Sequence, residues 1–386
     1  MRRGLLIAGL AVVCVAVGVV VVQRRQDSTT QVGAPIVPPP GERLLIHYGW
    51  DIADAASAAK NVDKIDALPF DGIAISADQN PCGTKPVAEA AAQADMARMP
   101  KLKNVKHNFL LCRFLDPALP DGSSPYDVEV DASWSTMAAN LSIYAKAAQA
   151  TGMFDGVMLD TEYYGKGPNP WDYDSIPIPT KYTSDRPWLI TPEKQAKSEA
   201  RGRQITQALV EAWPDVVMLS LRGVEVSDPA SFKKQHMGGY DGSWNSELAG
   251  AFFVGMVAAA AGSRATLVDG GESYSQRTEN DFQNAYTWLK QGLPDSHGPL
   301  LPSGTVTSEL YKKTVSVASQ VFEKDMYTKW SLMPVPRIQQ LLTLAQKYTD
   351  KYTWFYTEVH NWRGADWPDQ AVPNDYLRAV AASRKA

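Results

Sequence analysis

Phe154-Asp155-Gly156-Val157-Met158-Leu159-Asp160-Thr161-Glu162-Tyr163-Tyr164-Gly165 reads as an apolar strand that ends in two carboxylates and two tyrosines. Residues two apart on a strand point the same way, so Asp160 and Glu162 project together from its C-terminal end. A helical stretch at 132–150 precedes it, with Met137, Leu141, Tyr144 and Ala148 at helical spacing and Gly152 as its stop signal. Helix followed by short apolar strand is the unit that recurs along the rest of the chain.

Before it, strands are predicted at 44–50, 72–76 and 108–114, with an alanine-rich helix over about 53–68. After it come a helix at 192–213, with Thr191 as cap and Pro192 in its first turn, and a strand at 216–221. A strand at 265–269 precedes a helix capped by Thr278, with Phe282, Ala285, Tyr286 and Leu289 on one face. Ile338, Leu341, Leu342 and Ala345 mark a helix that feeds a final strand at 352–358. These are seven strands; an eighth, seventh in order, falls between Val315 and Leu332, where the signal is weak. Alternation on this scale predicts an α/β fold, a single (β/α)8 TIM-type barrel. The alternative is an open doubly wound sheet, which would carry a Gly-rich phosphate turn after its first strand; Tyr48-Gly49-Trp50-Asp51 is not one.

The amino-terminal part is different in kind. Residues 4–22 carry no charge and are flanked by Arg2-Arg3 and Arg24-Arg25, which predicts a membrane helix. No small-x-small site closes the run, so residues 1–25 read as an uncleaved anchor, with secretion as the outcome if they are cleaved. Residues 26–42, with Pro38-Pro39-Pro40, read as a Pro-rich linker, and 43–386 as the barrel domain, placed outside the cytoplasm. With the four arginines of the anchor set aside, 34 basic and 42 acidic side chains remain, a formal charge of −8. No basic patch survives, which argues against a nucleic-acid partner. Cys82 follows a predicted strand and Cys112 closes the next, so neighbouring strands bring them within disulfide reach; the alternative is two unpaired thiols. Five scattered histidines and no Cys-x-x-Cys give no metal-ligand spacing, and no cofactor is expected.

In a barrel of this kind the strand ends carry the chemistry. The candidates are Tyr48, Trp50 and Asp51 after the first strand, Asp160, Glu162 and Tyr163 at the fourth, and Arg222 at the fifth. Asp269, Glu272 and Tyr274 follow at the sixth, and Trp354, Tyr356, Glu358 and Trp362 at the eighth. Paired carboxylates supply what glycosidic cleavage needs, a proton for the leaving oxygen and a group that stabilises or attacks the sugar carbon. Crowding acids together raises the pKa of at least one. Eleven tryptophans and 16 tyrosines supply flat platforms for sugar faces.

The fourth strand resembles that of the chitinase-type glycoside hydrolases, D-G-x-D-x-D-x-E. Asp155, Gly156, Asp160 and Glu162 match, and Met158 replaces the middle aspartate. The resemblance covers about eleven residues. It implies Glu162 as general acid and Asp160 as its helper. The family's glycine-rich third strand is absent, Leu110-Leu111-Cys112-Arg113-Phe114 standing in its place. Without help from a substrate acetamido group, two protein carboxylates are needed, and Glu162 with Glu358 or Asp160 is the expected pair.

The expected function is therefore an extracytoplasmic glycoside hydrolase that cleaves a polysaccharide or glycan, with Glu162, Asp160 and Glu358 catalytic and the other strand-end residues binding carbohydrate. Two alternatives stand beside it. A non-catalytic carbohydrate-binding barrel is favoured by the Met158 replacement. A metal-dependent hydrolase would use the acidic strand ends as oxygen ligands.

Overall fold

A computed structural model describes residues 35–51, 53–165, 169–171, 192–224, 247–296, 306–364 and 370–384. Among these residues, eight parallel strands close on themselves into a barrel with helices outside. They are Leu44–Gly49, Gly72–Ser76, Asn108–Phe114, Phe154–Tyr163, Val217–Ser220, Thr266–Asp269, a seventh in two pieces, and Tyr352–Thr357. The seventh strand consists of Val315–Val317, which pairs with the sixth, and Ser319–Phe322, which pairs with the eighth. The eighth pairs in turn with the first, Leu44 opposite Tyr352 and Tyr48 opposite Tyr356, and the ring is nearly closed, interrupted between the two pieces of the seventh strand. This closure excludes the open doubly wound sheet and places the expected seventh strand at the start of its predicted window.

Both faces of the sheet are buried, as a parallel barrel requires. Leu44, Ile46 and Tyr48 of the first strand, Met158 of the fourth, and Tyr352 and Trp354 of the eighth share one buried cluster inside the barrel. Leu45, Val157, Leu159 and Phe355, one residue out of step, join the larger core between barrel and helices. Asp160 and Glu162 are in step with Met158 and so point into the barrel mouth.

The helix Asp131–Thr151 ends at Gly152, whose φ of 65° is the left-handed conformation that favours glycine at a helix stop. The helix Glu279–Thr287 starts on a reciprocal capping box between Thr278 and Asp281. The expected single helix over 53–68 is instead two, Ala55–Lys60 and Val62–Asp66. The break falls at Asn61, whose amide donates to the Ser57 carbonyl and takes over the C-terminal capping of the first helix. The helix Pro192–Ala212 begins where expected; Thr191 lies outside the described residues, as does the apolar segment 4–22. Among the described residues no helix is long and apolar enough to cross a membrane.

Residues next to the domain's predicted start touch the barrel. The Ile36 amide donates to Thr287 Oγ1 at 3.2 Å, and Arg43 donates to the Pro39 and Asp350 carbonyls, both at 2.6 Å. Cys82 and Cys112 form a disulfide, Cα atoms 5.3 Å apart, that ties the loop after the second strand to the third strand. The bridge closes a loop across 30 residues of sequence. By chain entropy it contributes about 3.6 kcal/mol, so the Cys82→Ser, Cys112→Ser double variant is expected to melt several degrees lower. Thermal unfolding of the parent with and without reductant checks this; equal melting in both would remove the bridge from the stability of the fold.

Candidate functional site

At the C-terminal end of the barrel, three carboxyl groups from two strand ends face one guanidinium. Arg222, just past the fifth strand, donates Nε to Glu272 Oε2 at 2.9 Å and holds Nη2 3.7 Å from Glu162 Oε2. Ser220 Oγ donates to the Arg222 carbonyl at 2.6 Å and fixes the backbone there. Glu162 comes from the end of the fourth strand and Glu272 from the turn after the sixth, so the strand order sets the arginine between the two glutamates. The turn needs Gly271, whose φ is 61°. Its amide donates to Asp269 Oδ1 at 2.9 Å, which folds the chain back and directs Glu272 toward the centre.

Tyrosines supply the remaining donors. Tyr48 hydroxyl donates to Asp160 Oδ2 at 2.6 Å, Tyr164 to Glu162 Oε2 at 2.7 Å, and Tyr274 to Glu272 Oε1 at 2.7 Å. The Glu162 amide donates to the other Asp160 oxygen at 3.1 Å. Burial, and then the neighbouring carboxyl groups, push the Tyr48 and Tyr274 phenols well above their ordinary range, so both stay protonated and act as donors. Asp160 is pushed up to about 7, first by burial and then by the charge of Glu272, against the opposing Tyr48 hydrogen bond. Glu162 is also raised, by burial first, with Arg222 opposing and Glu272 adding to the rise. The arrangement can keep a proton near neutral pH beside a second, hydrogen-bonded carboxylate.

The floor and walls are aromatic. Tyr274 stacks on Tyr356 at 5.8 Å between ring centroids, and Tyr48 lies 5.4 Å from Tyr356. Trp354 forms the floor beneath them, its indole N–H donating to the Gly270 carbonyl at 3.0 Å. Among the described residues no group of three or more His, Cys, Asp or Glu side chains is arranged to hold a metal ion.

The structure brings together Tyr48, Asp160, Glu162, Arg222, Glu272, Tyr274 and Tyr356, and puts Trp50 exposed at the rim after the first strand. Other expected site residues sit elsewhere. Asp51 is fully buried, and its oxygens accept from the Trp362 and Arg363 amides and the Arg363 guanidinium, so it holds a loop together and has no face for a ligand. Trp362 is likewise buried, packed on Phe70, Phe355 and His47 outside the barrel. Asp269 is buried beneath Gly223 and braces the Gly271 turn. Tyr163 points to the opposite face from its neighbour Glu162, as strand alternation dictates, and packs edge-on against Tyr126. Trp354 has no exposed surface and supports the rings above it.

Glu358 stands one ring away from the three central acids. Lys324 Nζ binds its Oε2 at 2.5 Å and the Tyr356 hydroxyl its Oε1 at 3.1 Å, so Tyr356 separates it from the centre. The sequence pairs Glu162 with Glu358 or Asp160; in the structure Glu272, expected to bind substrate, faces Glu162 across Arg222. Tyr164 was not among the expected site residues. It lies just beyond the strand, where alternation ends, and the sequence signal for it is adjacency to Glu162. Phe322 closes the weakly signalled seventh strand and Lys324 lies just past it, in a window where the sequence pattern marks neither.

No family model matches the chain, and no curated protein sequence matches it. Solved structures resemble it at low identity. A glycoside hydrolase family 5 enzyme from Prevotella bryantii, in complex with a xyloglucan tetradecasaccharide, has a TM-score of 0.43 at 11% identity, covering 88% of this chain and 95% of that one. A GH5-4 broad-specificity endoglucanase from an uncultured bacterium has a TM-score of 0.43 at 11% identity, covering 87% and 86%. A GH18 chitinase from the chitin utilization locus of Flavobacterium johnsoniae has a TM-score of 0.34 at 9% identity, covering 89% and 94%.

The raised Asp160 acid has a stability signature. The folded protein keeps its proton up to about pH 7, whereas the unfolded chain loses it near the ordinary value of 3.8. Stability attributable to this group is therefore greatest below pH 4, falls as pH rises through that window, and levels off above 7. Asp160→Asn is expected to flatten the pH dependence between 4 and 7 and to stabilise the fold at pH 8 by a few kcal/mol. Thermal melts of both proteins across pH 4 to 8 check this; parallel curves would show that Asp160 ionises as an ordinary aspartate.

Proposed function

We propose that the chain is an extracytoplasmic glycoside hydrolase, held at a membrane by residues 1–25, that cleaves a polysaccharide or glycan by carboxylate acid/base catalysis. The observation that carries this reading is the pair Glu162 and Glu272 facing one another across Arg222. Glu162 is the proton donor: burial raises its pKa, and its side chain keeps 24% exposure toward the mouth. Glu272, hydrogen-bonded on both oxygens, is the group that attacks or stabilises the developing cationic sugar. Asp160, nearly inaccessible and held by Tyr48, positions and tunes the pair from below.

The location outside the cytoplasm is supported by the uncharged segment 4–22 between arginine pairs, by the Pro-rich stretch after it, and by the Cys82–Cys112 bridge, since disulfides persist in oxidising compartments.

The test is release of reducing sugar from a panel of soluble β-glucan, β-mannan, xylan and partly N-acetylated chitosan. Glu162→Gln and Glu272→Gln are each expected to cut turnover by at least about 100-fold, whereas Glu358→Gln should cost less than about tenfold. Glycan retention without turnover by the parent would make the barrel a carbohydrate-binding protein. Full activity in Glu162→Gln would remove it as the acid.

A further inference from the structure

Trp330 sits on the turn after the seventh strand, in a short hairpin that pairs Lys324 with Leu332 and Asp325 with Ser331. Its side chain is 47% exposed. Lys329 and Trp330 both have positive φ, 54° and 59°, although neither is glycine. Such a conformation persists in side-chain-bearing residues only where the surroundings impose it.

The surroundings here are built around Asp325. Arg277 grips both its carboxylate oxygens, at 3.1 and 2.6 Å, and lies 4.5 Å over the Tyr327 ring. The Tyr327 amide donates to Asp325 Oδ1, and the Thr328 and Trp330 amides donate to its carbonyl. An ion pair and three backbone hydrogen bonds thus hold a strained turn whose visible product is an indole held out in water.

That indole adjoins the acidic centre. Its ring is 5.9 Å from Phe322, which is buried and lies 5.0 Å from Tyr356 and 5.2 Å from Tyr274, the ring whose hydroxyl binds Glu272. A run of rings therefore leads from Glu272 outward to Trp330. At two other strand ends the rim carries exposed aromatics too, Trp50 and Tyr164.

We propose that Trp330 is a carbohydrate-stacking subsite that takes the apolar face of a pyranose ring remote from the scissile bond, so that the site binds an extended chain rather than a single terminal sugar. The proposal rests on the glycoside hydrolase reading for its catalytic centre, and on the turn itself for its binding surface. A C–H-rich sugar face covers the indole and removes its apolar surface from water, which is what the exposed ring lacks in the free protein.

The test compares the parent with Trp330→Ala and Trp330→Phe on the same polysaccharide panel, by turnover and by retardation in gels containing each polysaccharide. Trp330→Ala is expected to raise KM on the polymer about tenfold, equivalent to about 1.4 kcal/mol. Hydrolysis of the aryl glycoside of the released sugar should be unchanged, and Trp330→Phe should keep most of the polymer affinity. Equal losses on polymer and aryl glycoside, or an alanine variant indistinguishable from the parent, would overturn the subsite. If the parent releases no sugar, the catalytic reading fails by itself. Weaker gel retardation of Trp330→Ala than of the parent would then still support the subsite, and equal retardation would overturn it.

Discussion

Carboxyl groups crowded into a barrel mouth repel one another and lose hydration, and Arg222 is the counter-charge on which their arrangement depends. It touches Glu272 directly and stands 3.7 Å from Glu162. The geometry follows from strand order: the fifth strand runs between the fourth and sixth, so a long cationic side chain at its end reaches both neighbours. Arg222 is itself largely buried, and the carboxylates hold its charge against the cost of desolvation. The cluster is thus mutually supporting, and loss of the guanidinium would leave like charges facing each other.

A second buried arginine stabilises the architecture in the same way without making a site. Arg363 binds Asp51, and its guanidinium also donates to the Ala74 and Gly49 carbonyls, joining the end of the first strand and the middle of the second to the loop after the eighth. Asp51 is saturated by these contacts and by two backbone amides. The Asp51–Arg363 pair lies on the side of the barrel where the eighth strand meets the first. The Arg222 cluster differs in one respect: Glu162 and the rings around it retain a path to solvent.

Strand periodicity carried much of this in the sequence. The two-residue repeat placed Asp160 and Glu162 on one face, and the same repeat, applied one step further, puts Tyr163 on the other. What the pattern lacks is depth. Asp51, Asp269 and Trp362 stand at or just past strand ends as Glu272 does, yet backbone folding sinks them into the core, and only the assembled barrel distinguishes them. The seventh strand was obscure because it is split into pieces of three and four residues, with buried Ser319 and Gln320 interrupting its apolar run. Phe322 and Lys324, and the turn carrying Trp330, were hidden with it. The facing position of Glu272 depends on the ring order and on a left-handed glycine, neither of which is written in local pattern.

Met158 shows how this barrel replaces the arrangement that its fourth strand resembles. The methionine is wholly buried in the barrel interior, one inward position below Asp160, so no acid lies there to share a proton with it. Asp160 is held instead from across the barrel by Tyr48, a phenol whose own ionisation is pushed out of reach by burial and by Asp160. A partner that cannot ionise donates at every working pH and lowers the Asp160 pKa by a constant amount. The remaining large influence besides burial is the charge on Glu272. The proton on Asp160 is therefore coupled to the carboxylate that faces Glu162: burial and the Glu272 charge together hold Asp160 in its acid form, against the hydrogen bond that Tyr48 donates to it.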